Sequence, residues 1–230
     1  MMKKKDIIQN WSLKGAGVKK YKEHKTYKNS YINHNSQIGL IGPTGSGKTN
    51  TIIELISRSP ERFYEVIYFT GTTSDEHLLN LLKGACDDVI IIDDYEDLPD
   101  LQEKNDDDKT TEKLIIFDDI ICLPKKILDK ISQWFIASRK YGYISIVCGQ
   151  TYTDIPKKIR EQIKYWIIFR LRDIRTVKQV INNHNTTGDN VDDVHKLYLN
   201  ATDEIGNFFM IDLNSNDKKH YRRNFLDFWG

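Results

Sequence analysis

The stretch Ile38-Gly-Leu-Ile-Gly-Pro-Thr-Gly-Ser-Gly-Lys-Thr49 constrains the fold more than any other part of the chain, because Gly42 to Thr49 completes the pattern G-x-x-x-x-G-K-[ST]. Ile38, Leu40 and Ile41 fit a short buried strand before it. Ile52, Ile53, Leu55 and Ile56 recur at helical spacing after it, so the spacing predicts a strand, a glycine-rich loop and a helix beginning near Lys48. In that setting Gly45 and Gly47 let the backbone turn its N–H groups inward around phosphate oxygens, and the positive end of the helix adds to the field. Lys48 is suited to the β- and γ-phosphates of a nucleotide and Thr49 to Mg²⁺. Gly42, Pro43, Thr44, Gly45, Ser46, Gly47 and Asn50 complete the cradle.

A second element carries chemistry. Lys113-Leu-Ile-Ile-Phe-Asp-Asp119 reads as a buried strand that delivers Asp118 to its carboxyl end, where open α/β sheets bind ligands and where a carboxylate can hold Mg²⁺. Val89 to Asp94 has the same apolar-run-then-acid form. Asp118 is preferred because a well-formed helix and a polar-ended strand follow it, whereas Asp93 leads into a loop. That strand, Tyr143 to Cys148, ends in Gly149-Gln150, and a glutamine there can touch both an attacking water and a γ-phosphate oxygen.

At 230 residues the chain has room for one sizeable α/β domain. The expected division is a basic arm over 1–36, the phosphate-loop domain over 37–213 and a basic, aromatic tail over 214–230. The net charge of +1 hides an uneven distribution: residues 1–28 hold nine lysines, and 87–108 hold eleven acids against Lys104. The arm, with Trp11, Tyr21, Tyr27 and Tyr31 among its lysines, suits a polyanionic partner or packs on the domain edge. The tail, with Phe225, Leu226, Phe228 and Trp229, docks either on a neighbouring subunit or on its own domain. Cys86, Cys122 and Cys148 lack metal-ligand spacing and read as reduced, mostly buried thiols of a cytosolic compartment. The six histidines form no ligand cluster, no signal-peptide pattern follows Met1, and no apolar run approaches the ~20 residues of a membrane span.

Further strands are expected over 65–70, 165–169 and 207–212, and helices over 76–83, 124–139, 155–162, 173–183 and 191–198. Tyr95 to Thr111 reads as a polar surface loop.

The order GPTGSGKT, IYFTG, LIIFDD, FIASRKYG, YISIVCGQ, IPKKIREQIKYWIIF resembles the viral genome-packaging ATPases of the FtsK–HerA superfamily, most closely their poxvirus-type branch, over roughly residues 36–172. The resemblance implies a RecA-like doubly wound α/β fold with a mostly parallel sheet and helices on both faces. It also implies Mg²⁺-dependent ATP hydrolysis coupled to movement of double-stranded DNA into a capsid by a homo-oligomeric ring that meets a capsid or portal-vertex protein. Asp119 then stands where the superfamily usually has the water-activating glutamate, one methylene shorter, and Gln150 takes the polar sensor position. Arg139 and Arg160 are the two candidates to stabilise γ-phosphate charge in an adjacent subunit. A phosphate-loop nucleotide kinase and a nucleotide-gated scaffold protein are the alternatives. The kinase lacks an evident arginine-rich lid here, and no N-K-x-D motif supports a GTPase.

Overall fold

The computed structural model describes residues 24–70, 76–86, 88–98, 111–185, 187–215 and 220–229. The lysine-rich residues 1–23 and residues 99–110, which hold about half of the acidic segment, lie outside them.

The centre of the fold is a nine-stranded sheet. Its strands are β1 (Gln37–Ile41), β2 (Phe63–Thr70), β3 (Val89–Ile92), β4 (Glu112–Asp118), β5 (Tyr143–Gly149), β6 (Tyr165–Ile168), β7 (Phe209–Asp212), β8 (Tyr221–Arg223) and β9 (Asp227–Trp229). They lie in the order β3-β2-β4-β5-β1-β6-β7-β8-β9, parallel from β3 to β6 and antiparallel from β6 to β9. Near-continuous apolar runs predict strands covered on both faces, and the helices provide that cover. α1 (Lys48–Ser57) and α2 (Glu76–Ala85) lie on one face; α3 (Lys125–Ser138), α4 (Lys157–Arg160), α5 (Ile174–His184) and α6 (Val191–Ala201) lie on the other. Strand alternation divides β4 accordingly. Leu114 and Ile116 join Ile52, Leu55 and Ile56 of α1, while Ile115 and Phe117 join Ile131 and Phe135 of α3. Each such buried side chain contributes about 1.5–3 kcal/mol relative to exposure.

Contacts at both ends of the chain tie described residues of the arm and the tail to the sheet. Residues 30–35 are pinned to the sheet by two buried arginines: Arg62 Nη2 donates to the Ile32 carbonyl at 2.9 Å, and Arg222 Nη1 to the Ser30 carbonyl at 3.1 Å. Each guanidinium is paired, Arg62 with Glu112 at 2.8 Å and Arg222 with Asp212, so neither charge is buried alone. Tyr31 packs edge-on against Phe228, with Arg222 over both rings. The described part of the tail is therefore two further sheet strands docked within its own chain. Their three-residue lengths explain why periodicity did not reveal them.

The cysteines also differ from expectation. Cys148 is buried, Cys86 half-buried and Cys122 exposed.

Candidate nucleotide site

The loop after β1 is held at both ends by the sheet: the Gly42 N–H donates to the Gly149 carbonyl of β5 at 3.1 Å, and the Phe169 N–H to the Ile41 carbonyl at 2.9 Å. Within the loop the Ser46 N–H closes a turn on the Pro43 carbonyl at 3.1 Å. Gly45 (φ 76°) and Gly47 (φ 106°) occupy the left-handed region that a side chain resists, which is why the motif needs glycine there. Gly47 is also the residue preceding α1, so no side chain caps that helix and the first-turn N–H donors face the loop. Ser46 Oγ, buried in the same loop, has no hydrogen-bond partner among the described residues. A ring of uncapped donors, an orphaned hydroxyl and a helix terminus together suit a phosphate.

Lys48 lies across the loop, Nζ donating to the Gly42 carbonyl at 2.7 Å and the Pro43 carbonyl at 3.3 Å. A bound phosphate would compete with these neutral acceptors for the ammonium, and its charge makes it the stronger partner.

Asp118 ends β4 on the face that carries α1. The Tyr68 hydroxyl of β2 donates to its Oδ2 at 2.5 Å, and the Asp119 N–H donates to its Oδ1 at 3.0 Å. Thr49 stands at the start of α1, beside Lys48. A hydroxyl and a carboxylate are the hard oxygen ligands that Mg²⁺ uses, with phosphate and water completing its shell. Among the described residues no group of three His, Cys, Asp or Glu could hold a metal by itself. Burial, and then the nearby Asp118 charge, push the Cys148 thiol of β5 well above its usual range, so it is neutral.

Asp119 follows in the left-handed conformation, φ 50° and ψ 38°, which aspartate tolerates better than most residues, and its side chain is exposed. Partial desolvation raises its carboxyl above the ordinary aspartate value, Asp118 adds to the rise, and Lys48 opposes it.

Gln150, exposed at the end of β5, lines a cleft of about 360 Å³ with Pro43, Thr44, Thr151, Arg172 and Thr176. The turn after it is fixed by a reciprocal cap: the Thr151 N–H donates to Asp154 Oδ2 at 2.6 Å and the Thr151 hydroxyl to Oδ1 at 2.8 Å. The alternative acid pair, Asp93 and Asp94, follows β3 at the sheet edge, two strands beyond β4, and Asp94 instead caps a short 3₁₀ turn through the Glu96 N–H.

The two arginines are placed differently. Arg139 is exposed at the C-terminal end of α3, the end that leads into the start of β5, and so faces away from its own loop. Arg160 stacks over the Tyr152 ring, 4.4 Å from its centroid, with Nε buried and lacking a hydrogen-bond partner among the described residues. Neither forms an ion pair with a described carboxylate.

A family profile, "Poxvirus A32 protein", matches residues 23–206. The chain belongs to the poxvirus A32 protein family. No curated protein sequence matches this A32 family member significantly. Among solved structures it is similar to B204, the DNA-packaging ATPase of Sulfolobus turreted icosahedral virus, at 18% identity and TM-score 0.55, covering 84% of this chain and 98% of that one. B204 of Sulfolobus turreted icosahedral virus 2 in complex with AMPPCP is similar at 17% identity and TM-score 0.54, covering 84% and 98%. ATPases 2 and 3 of EssC from Geobacillus thermodenitrificans match at 14% and 0.55, covering 84% of this chain but 40% of that one. At these identities the likeness establishes the fold, an α/β architecture of phosphate-loop ATPases, as expected.

Sequence reasoning missed Tyr68, Arg172 and the loop before β7, whose Gly206 Cα would lie 3.3 Å from a Cβ on Gly47. Tyr68 left one signal, a polar-tipped side chain near the end of an otherwise apolar run. Arg172 and Gly206 left none, because only the sheet order brings them beside the phosphate loop.

Proposed function

We propose that this A32-family protein is the Mg²⁺-dependent ATPase of a motor that moves double-stranded viral DNA into a capsid, working as a homo-oligomeric ring docked on a capsid or portal-vertex protein. The observation that supports it most directly is the position of β5. It lies between the loop strand β1 and the acid strand β4, so Gln150 stands between Lys48 and Thr49 on one side and Asp118 and Asp119 on the other. That insertion supplies a polar sensor where a terminal phosphate would lie.

In this reading Lys48 and the loop N–H groups hold the phosphates, and Thr49 and Asp118 hold Mg²⁺. The cation, when bound, neutralises charge on the phosphate oxygens. Asp119, with its raised affinity for a proton, accepts one from the attacking water, and Gln150 orients that water. Arg139, directed away from its own site and without a described acidic partner, is favoured over the stacked Arg160 to reach a neighbouring subunit. The DNA-binding role is assigned to the lysines of residues 1–23. Among the described residues no helix is long and apolar enough to cross a membrane. A virion assembly site in the host cytoplasm is the proposed setting.

The test is ATP turnover with and without duplex DNA, for the full chain and for a variant lacking residues 1–23. DNA should stimulate the full chain. The truncation should retain basal turnover while flattening the log–log salt dependence of DNA affinity by about 0.9 for each phosphate it no longer neutralises. Basal turnover without any response to duplex DNA would favour a nucleotide-gated scaffold over a motor.

A further inference from the structure

Tyr68 is 1% exposed, set between Ile67 and Phe69 in the apolar part of its strand. A phenol in such surroundings must place its hydroxyl on a partner. It does so on Asp118 Oδ2, across the β2–β4 pairing in which Tyr68 lies beside Ile116 and Thr70 beside Asp118. A phenol has one proton to donate and lone pairs to accept with. With the Asp119 N–H on the other oxygen, the Asp118 carboxylate is held from two sides before any ligand arrives.

Mg²⁺ dehydrates reluctantly and demands near-ideal octahedral placement of its few protein ligands. Groups behind the ligands that fix their orientation matter nearly as much as the ligands themselves. We propose that Tyr68 is the positioning residue of the cation site, its buried hydroxyl holding the β4 carboxylate of Asp118 at one orientation. This rests on the assignment of Thr49 and Asp118 to Mg²⁺ made above. No direct contact between Tyr68 and nucleotide is involved; the hydroxyl acts through the ligand it holds.

Tyr68→Phe removes the hydroxyl and keeps the ring. Binding of a fluorescent, non-hydrolysable ATP analogue is measured in EDTA and across a Mg²⁺ titration. The expected result is metal-free affinity within twofold of wild type and a half-saturating Mg²⁺ concentration raised about 10- to 100-fold, the usual effect of losing a group that orients a ligand. An unchanged Mg²⁺ midpoint would overturn the proposal, and so would equal weakening with and without metal, which is what a merely structural residue gives. Asp118→Asn separates the two levels of inference. If it leaves the Mg²⁺ midpoint unmoved, the cation assignment itself is wrong; if it shifts the midpoint while Tyr68→Phe does not, only the role of Tyr68 fails. Should Tyr68→Phe not fold, 3-fluorotyrosine placed at position 68 alone gives a nearly isosteric probe. Its ¹⁹F resonance should shift on addition of Mg²⁺ to the analogue complex with the same midpoint as binding, and a resonance indifferent to Mg²⁺ counts against the proposal.

Discussion

Replacing Lys48 by alanine separates what the lysine does for the empty loop from what it does for a ligand. In the ligand-free fold Nζ joins two neutral carbonyls, Gly42 at 2.7 Å and Pro43 at 3.3 Å, on a half-buried side chain. Only the first is short, and although an ammonium donor can raise such a bond to about 1.5–3 kcal/mol, solvent at this half-exposed side chain screens it, so the variant should lose about 1 kcal/mol of stability. For a domain of this size that is a fall of about 2–4 °C in melting temperature. With nucleotide bound the same ammonium faces phosphate oxygens, where charge-assisted hydrogen bonds are worth about 1.5–3 kcal/mol. At 1.4 kcal/mol per decade the affinity for ATP should drop about 10- to 150-fold, and turnover should fall further because negative charge concentrates at the transferring group in the transition state. Scanning calorimetry of the ligand-free protein, titration with a fluorescent ATP analogue and a phosphate-release assay read the three quantities. Turnover within threefold of wild type would refute the site. A fall in melting temperature of more than about 10 °C would show that the ammonium holds the empty loop together instead of standing ready for a ligand.

The adjacent acids should fail differently: Asp118→Asn should raise the Mg²⁺ requirement of nucleotide binding, whereas Asp119→Asn should bind Mg²⁺ and ATP normally and lose turnover. Equal binding loss in both variants, read by the analogue titration, would contradict that division. Arg139→Ala should melt at the wild-type temperature and hydrolyse ATP about 10³-fold or more slowly, as in related enzymes that lose an arginine supplied by a neighbour. Mixing it with Lys48→Ala should restore part of the activity, and no recovery in demonstrably mixed oligomers argues against a shared site. Arg160→Ala should instead cost stability, since its guanidinium stacks on Tyr152. His184, pushed down to about 4 by burial and then by Arg160, gives a pH signature. Its folded value lies below the unfolded value near 6.5, so the unfolded chain takes up the proton first and stability present above pH 6.5 is lost as pH falls towards 4. The loss is at most about 3 kcal/mol at 1.36 kcal/mol per unit. Urea unfolding at pH 7, 5.5 and 4 should show that slope, and His184→Gln should flatten it.

Much of this site was written locally. The phosphate loop needs only glycines at positive φ and a helix starting at Lys48, and both are properties of a dozen consecutive residues. Asp118 and Gln150 could be placed because each ends an apolar run, and in a parallel sheet every strand delivers its last residue to the same edge. The chain also disclosed its family by the order of those runs. Sequence could not show what crosses between strands. Tyr68 meets Asp118 because β2 and β4, distant in the chain, are hydrogen-bonded neighbours, and nothing in either segment states that pairing. Arg139 and Arg160 looked equivalent as basic residues near helix ends, and only packing distinguished an exposed guanidinium from one stacked on Tyr152. The short strands β8 and β9 were hidden for a related reason. Three residues carry too little periodicity to declare a strand, and their conformation is set by pairing with β7 and by Arg222, whose charge is buried against Asp212 and whose guanidinium holds the Ser30 carbonyl from the far end of the chain. Local conformation and strand-end chemistry follow from neighbours in sequence. Which side chains share a proton, a stack or a buried charge follows from the order of strands in the sheet, an outcome of the whole chain's burial.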